Sequence, residues 1–303
     1  DGNNINGFGI GVVSMRVMGT SGTGFVSDII QGMLFAGGLP NSTGTVYSGA
    51  TPIKVMNLSL GSTGGGCSGS YQGVFNDLYD RNISVVSSSG NEAQEAPGAY
   101  GYPASCDNVI SVAATAATGL RAYYSTYNDA VDIAAPGGDV GADVNADGYS
   151  DGVLAFDSDE DLAFYQGTSM ASPHVAGAIG ILYALVPELL SSQVDALIID
   201  GHLVDDIGIE GKDDDYGYGL LNINKAVARI IDEEGLDFTY GSIDPGTANL
   251  GVDLNSYDLT VTKVGDGELS VSSVTNDLSS AVTISEINVD ANGFGTYRLT
   301  FDR

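Results

Sequence analysis

Residues 167 to 177 read Gly-Thr-Ser-Met-Ala-Ser-Pro-His-Val-Ala-Gly, small side chains that run into the apolar stretch Met170 to Leu185. The stretch reads as a helix with Pro173 in its first turn, where a missing backbone N–H costs nothing. Ser169 thus stands at a helix start, and nucleophilic chemistry in this chain would turn on it. A serine hydroxyl is a poor nucleophile until a neighbouring base takes its proton, and that base needs an acid partner to hold its tautomer. His174 and His202 are the two histidines of the chain. His174 follows Ser169 by five residues on the same predicted helix, so it points away from the hydroxyl and reads as a packed structural side chain. His202, in Ile199-Asp200-Gly201-His202, reads as a solvent-facing helix end or loop. Neither is expected to serve as the base.

A second pattern suggests a cation. Asp143-Val-Asn145-Ala-Asp147-Gly148-Tyr149-Ser-Asp151-Gly152 alternates oxygen-bearing side chains and puts glycine sixth, where a sharp turn is required. That is the oxygen cage of an EF-hand-like calcium loop, with Asp143, Asn145, Asp147, the Tyr149 carbonyl and Asp151 as ligands. Leu154 stands where a full EF-hand carries its bidentate glutamate, so a loop without the helical hand is expected. An acidic solvated turn is the alternative. Asp157, Asp159, Glu160 and Asp161 read as surface charge.

These residues need a scaffold. Strand-like apolar runs occur at residues 9–18, 53–58, 83–87 and 109–113, with helical patterns at 24–37 and 70–81. Strands alternating with helices predict an α/β domain with a parallel sheet, its function at the strand ends. Beyond Leu236 the texture changes to period-two alternation, as in Leu259-Thr-Val-Thr262 and Leu269-Ser-Val-Ser272 around Gly265-Asp266-Gly267. This predicts a hairpin within a small all-β sandwich. The chain accordingly divides into domains of 1–235 and 236–303, the second ending abruptly after the strand pattern of 295–301.

The chain's 303 residues suffice for a large core. With 39 acidic and 10 basic residues its formal net charge is -29, which disfavours nucleic acid and anionic membranes as partners. No apolar run approaches the length of a membrane span. Such a surface suits a secreted protein in salty or calcium-containing water.

The segment around Ser169 resembles the nucleophile segment of the subtilisin-like serine proteases, the S8 peptidase family. Two other segments match in order: Asn57-Leu58-Ser59-Leu60-Gly61, similar to the strand that pairs with extended substrate, and Ser87-Ser88-Ser89-Gly90-Asn91-Glu92. Asp215 to Asn222 resembles the closing segment of the catalytic domain. The resemblance implies a parallel-sheet, three-layer domain that hydrolyses polypeptides through an acyl-enzyme on Ser169. Asn91 would donate to the carbonyl oxygen beside the backbone N–H of Ser169. Ser59, Leu60 and Gly61 would pair with the extended substrate, and the small residues Ser88, Ser89, Gly90 and Ala104 would leave a deep uncharged pocket suited to a large apolar or aromatic residue before the cut. Cys67 and Cys106 are expected to form a disulfide, in keeping with exported members of the family; two free buried thiols are the alternative. The terminal module is similar to the immunoglobulin-like modules appended to many exported bacterial proteases.

One part of the family pattern is missing. The Asp-Thr/Ser-Gly and His-Gly-Thr-His contexts that carry the catalytic aspartate and histidine do not occur in the chain, and residues 1–11 resemble the segment just downstream of the histidine helix. The expectation is the C-terminal portion of a protease, inactive alone, its base supplied by a longer precursor or by another polypeptide, with the missing N-terminal catalytic segment or a propeptide as a candidate partner. A natural loss of catalysis is a further option. The alternative class is a non-catalytic, calcium-stabilised binding or adhesive protein, against which the retention of both Ser169 and Asn91 argues.

Overall fold

The computed structural model describes residues 10–156, 161–230, 235–239, 256–264 and 282–301. They fall into two units, residues 1–144 with 150–223 and residues 145–149 with 224–303.

The first unit runs α1 (Val26–Ala36), β1 (Val55–Leu58), β2 (Ser62–Thr63), α2 (Gly69–Tyr79), β3 (Ser84–Ser88), β4 (Gly101–Tyr102), β5 (Val109–Thr115), β6 (Ile133–Pro136), β7 (Val153–Phe156), β8 (Leu162–Tyr165), α3 (Thr168–Leu185), α4 (Ser191–Ile199), β9 (Val204–Asp205) and β10 (Leu220–Leu221). Six strands form one sheet in the order β1-β3-β5-β6-β10-β9. All are parallel except the edge strand β9. The parallel strands are short apolar runs with both faces covered, and β3 and β5 are buried along their whole length.

Side-chain alternation sorts the two faces. Met56, Leu58 and Val85 pack with Ile29 and Met33 of α1 and with Tyr71, Val74, Phe75 and Leu78 of α2. The intervening Asn57 and Ser84 turn to α3, where Asn57 Oδ1 accepts the Ser172 hydroxyl and the Ser84 hydroxyl meets Tyr183 Oη at 2.9 Å. Phe75 and Leu78 are fully buried, each worth about 1.5–3 kcal/mol. Ser68 caps α2 by accepting the Tyr71 amide at 3.4 Å, and the neighbouring Cys67 is disulfide-bonded to Cys106 across 39 residues.

Residues 11–18 differ from expectation. They form no strand and are mostly exposed, because an apolar run becomes a strand only when a neighbour takes its amides and carbonyls, and among the described residues none does. β1 is consequently an edge of the sheet.

α5 (Ile223–Ile230) leads into the second unit, in which β11 (Gly235–Thr239), β12 (Ser256–Val264), β13 (Val282–Val289) and β14 (Gly295–Phe301) form an antiparallel sheet in the order β11-β12-β14-β13. β12 and β14 take up the predicted alternating segments; residues 269–272, the other half of the predicted hairpin, lie outside the described residues.

Candidate active site

Three sequence-distant segments meet at the carboxyl end of the sheet. Ser59 follows β1, Gly90 and Asn91 follow β3, and α3 begins with Thr168 and Ser169. They line a cleft of about 240 Å³ together with Leu60, Gly61, Ser62, Thr63, Ser88, Ser89, Glu92, Gly101, Tyr102 and Met18. Six of the seven predicted substrate-binding residues lie on it. Ala104 does not: it is 4% exposed, in the turn after the cis Tyr102–Pro103 bond.

Ser169 is the second residue of α3, after Gly167 at φ 146, a left-handed conformation open to glycine. Helix amides in the first turn have no partner four residues back. Met170 donates instead to Gly167 O three residues back at 3.0 Å, and Ala171 makes the first four-back bond, also to Gly167 O, at 3.3 Å, whereas the Ser169 amide and hydroxyl have no partner among the described residues.

Asn91 is oriented by Thr168. Its Oδ1 accepts the Thr168 amide at 2.9 Å and the Thr168 hydroxyl at 3.0 Å. A backbone N–H needs an oxygen opposite it, so this contact decides which way the side-chain amide points. Nδ2 is left without an acceptor among the described residues. Two N–H donors, Asn91 Nδ2 and the Ser169 amide, thus stand at one cleft beside an unengaged hydroxyl, an arrangement suited to charge developing on a carbonyl oxygen.

Pro173 is the sixth residue of α3, rather than a first-turn residue, because the helix starts at Thr168. A helical residue at 173 would donate its amide to Ser169 O, and proline has none. The Ser59 hydroxyl fills that place, donating to Ser169 O at 2.8 Å. Ser59 Oγ in turn accepts Asn57 Nδ2 at 2.9 Å, so the end of β1 and the first turns of α3 share one network.

A buried tyrosine braces the approach to the helix. The Gly167 amide donates to Tyr124 Oη and to Gly137 O, both at 2.9 Å, and Tyr124 Oη donates to Gly138 O at 2.7 Å. Burial pushes the Tyr124 hydroxyl up to about 12 against the opposing pull of the Gly167 amide. Sequence reading missed Thr168, Tyr124 and the role of Pro173; a proline four residues after a candidate nucleophile was the one available signal.

No histidine lines the cleft. His174 is exposed rather than packed, its Nδ1 2.8 Å from Met170 O, since no described residue covers that side of α3. His202 is half-buried in the turn after α4, not solvent-facing, because its amide folds back on Leu197 O at 2.8 Å.

In the acidic loop, Asp147 Oδ1 accepts the Tyr149 amide at 2.8 Å and Oδ2 accepts Asn145 Nδ2 at 3.0 Å. Separately, Asp151 Oδ2 accepts the Val144 amide at 2.7 Å. Gly148, the predicted turn glycine, has φ 88. The donor set is all oxygen and fits a hard cation, although among the described residues no three His, Cys, Asp or Glu side chains are gathered as a ligand group.

Residues 3–219 match the Subtilase family model. The chain belongs to the subtilase family. It is 36% identical over 192 residues to the extracellular protease of Xanthomonas campestris pv. campestris, a match covering 63% of this chain and 31% of that protein. Subtilisin Savinase of Lederbergia lenta is 33% identical over 213 residues, 70% of this chain and 66% of the relative. Among solved structures, a protease of Pseudoalteromonas arctica PAMC 21717 superposes with a TM-score of 0.59 at 31% identity, covering 71% of this chain and 61% of that one. The chain thus spans about a third of the length of the Xanthomonas relative and less than two thirds of the other two. As in this subtilase's relatives, the parallel α/β sheet is the scaffold. Among the described residues no helix is long and apolar enough to cross a membrane.

Proposed function

We propose that this subtilase chain carries the nucleophile and oxyanion half of a serine endopeptidase. Ser169 attacks the peptide carbonyl, Asn91 Nδ2 and the Ser169 amide take the developing oxyanion, and the acyl-enzyme is then hydrolysed. A polypeptide substrate lies extended along Ser59 to Gly61 and Ser88 to Gly90. The observation that carries the reading is the Thr168–Asn91 pair, which turns the amide's donor end free beside Ser169. A binding or adhesive protein on the same scaffold would gain nothing from that orientation.

With no histidine on the cleft, the base comes from outside these 303 residues, and the chain alone is inactive. Loss of the base removes most of the rate enhancement even where the oxyanion site survives. Calcium held by Asp143, Asn145, Asp147, the Tyr149 carbonyl and Asp151 stabilises the fold, a proposal supported by the ligand alternation and by the turn at Gly148. Secretion is supported by the extracellular naming of the Xanthomonas relative and by the disulfide.

A fluorophosphonate probe tests the catalytic reading. Labelling at Ser169 is expected in the full-length protein that contains the histidine, and is lost in Ser169→Ala. An unlabelled Ser169 in folded, calcium-loaded protein containing that histidine overturns it.

A further inference from the structure

Glu92 is the one residue with a formal charge among those that line the cleft, and the expectation of an uncharged pocket left it out. It follows Asn91 directly and folds back on it, so that Glu92 Oε2 accepts the Asn91 amide at 2.8 Å. A Cβ added at Gly90 would stand 2.8 Å from that same oxygen. The carboxylate thus occupies space that a side chain at position 90 would fill, one residue from the proposed oxyanion donor.

Neighbouring chain fixes this geometry. Buried Thr126 accepts the Glu92 amide on Oγ1 at 3.3 Å and gives its own amide to Gly90 O at 3.0 Å, while the Ala93 amide donates to Tyr124 O at 3.2 Å. The carboxylate is therefore in place before any ligand arrives. Ion pairs among the described residues join Arg121 to Asp215 and Lys212 to Asp132. Glu92 has no cation partner among those residues, and its Oε1 has no hydrogen-bond donor among them. One oxygen of this half-buried group is engaged and the other is open.

A substrate whose carbonyl reaches Asn91 and Ser169 brings the side chain of that same residue into the cleft between residues 59–61 and 88–90. An apolar side chain ending at Glu92 strips water from a carboxylate without replacing it, which costs free energy. A Lys or Arg instead lays its aliphatic stem along Leu60 and Tyr102 and carries a cation to the open oxygen. We infer that Glu92 makes this a subsite for a basic residue, so that the endopeptidase cuts after Lys or Arg in preference to an apolar residue. The inference rests on the reading of Ser169 and Asn91 as nucleophile and oxyanion donor, and names the substrate class of that site.

Two short acetylated peptides test this, identical except for a C-terminal Arg or its uncharged isostere citrulline. Calorimetric titration into the 303-residue chain needs no base, and kcat/KM for the corresponding anilides is measured in the full-length protein that contains the histidine. Arg is expected to be favoured about tenfold in both, by a ratio that falls with salt. The ratio should approach one in Glu92→Gln, which keeps an acceptor for the Asn91 amide but not the charge. Attraction by the overall charge of -29 would survive that single change, so a ratio that Glu92→Gln leaves intact overturns the proposal. A wild-type ratio near one, or a chain that binds neither peptide, overturns it too. Should the variant melt well below the wild type, the Arg or citrulline is moved two residues upstream; overall attraction is unchanged by the move, so a preference for Arg that persists there also overturns it. Fluorophosphonate labelling separates this inference from the reading beneath it. Labelled Ser169 without an Arg preference removes the selector alone, whereas unlabelled Ser169 with a Glu92-dependent preference removes the nucleophile and keeps the subsite.

Discussion

The hydroxyl of Ser59 donates to the main-chain carbonyl of Ser169 at 2.8 Å, taking the place of the helix amide that Pro173 lacks. The proline thus frees a carbonyl in the turn that holds the candidate nucleophile, and the serine that follows β1 ties that turn to the strand through Asn57.

A double-mutant cycle isolates this coupling. Ser59→Ala leaves Ser169 O without a donor and is expected to cost about 1–2 kcal/mol in urea unfolding. Pro173→Ala restores the helix amide, so in that background Ser59→Ala should cost about 1 kcal/mol less. Equal costs in both backgrounds would mean that Ser59 acts only through Asn57.

Thr168 is the residue that turns Asn91. Its hydroxyl donates to Asn91 Oδ1 and accepts the Gly90 amide at 3.3 Å. Thr168→Val keeps shape and removes both bonds, with an expected loss of about 1–3 kcal/mol. In the base-containing protein, fluorophosphonate labelling of Ser169 should slow in the same variant, and Thr168→Ser should restore it. Unchanged labelling in folded Thr168→Val would separate Asn91 orientation from reactivity.

The scaffold was readable because β1, β3, β5 and the helices α1, α2 and α3 each announce themselves locally, by apolar period or by turn residues. Ser169, Asn91 and Ser59 could be placed together through the resemblance of their three segments, in order, to those of the subtilisin-like family. The bonds that orient them could not. Thr168 reaches Asn91 across 77 positions and Ser59 reaches Ser169 across 110, and nothing in a local pattern encodes such a meeting. Residues 11–18 fail for the converse reason: their pattern is that of a strand, and pairing is a property of a neighbour.

Calcium binding is checked by its removal. The stretch from Asp143 to Asp151 carries three carboxylates in nine residues, and a bound cation would draw them together. Adding calcium at about a hundred times its dissociation constant should raise stability by about 2.7 kcal/mol, and chelation should reverse this. Asp147→Asn should reduce the calcium-dependent part. A melting temperature and protease resistance indifferent to chelator would remove calcium from the account.

Tyr124 offers a pH-dependent readout of the brace behind Gly167. Its neutral hydroxyl donates to Gly138 O, and an ionised one has no proton to give. Burial raises its folded value from 10.0 to about 12, so its contribution is fully present below the unfolded value and is lost as pH rises through the folded one. Tyr124→Phe should cost about 1–2 kcal/mol near neutral pH, from two broken hydrogen bonds. Between pH 10.0 and about 12 the gap between wild type and variant should then close, because the wild type alone loses the proton. A gap that stays constant across that window in urea unfolding would show that the Tyr124 hydroxyl is not what ties Gly167 to Gly138.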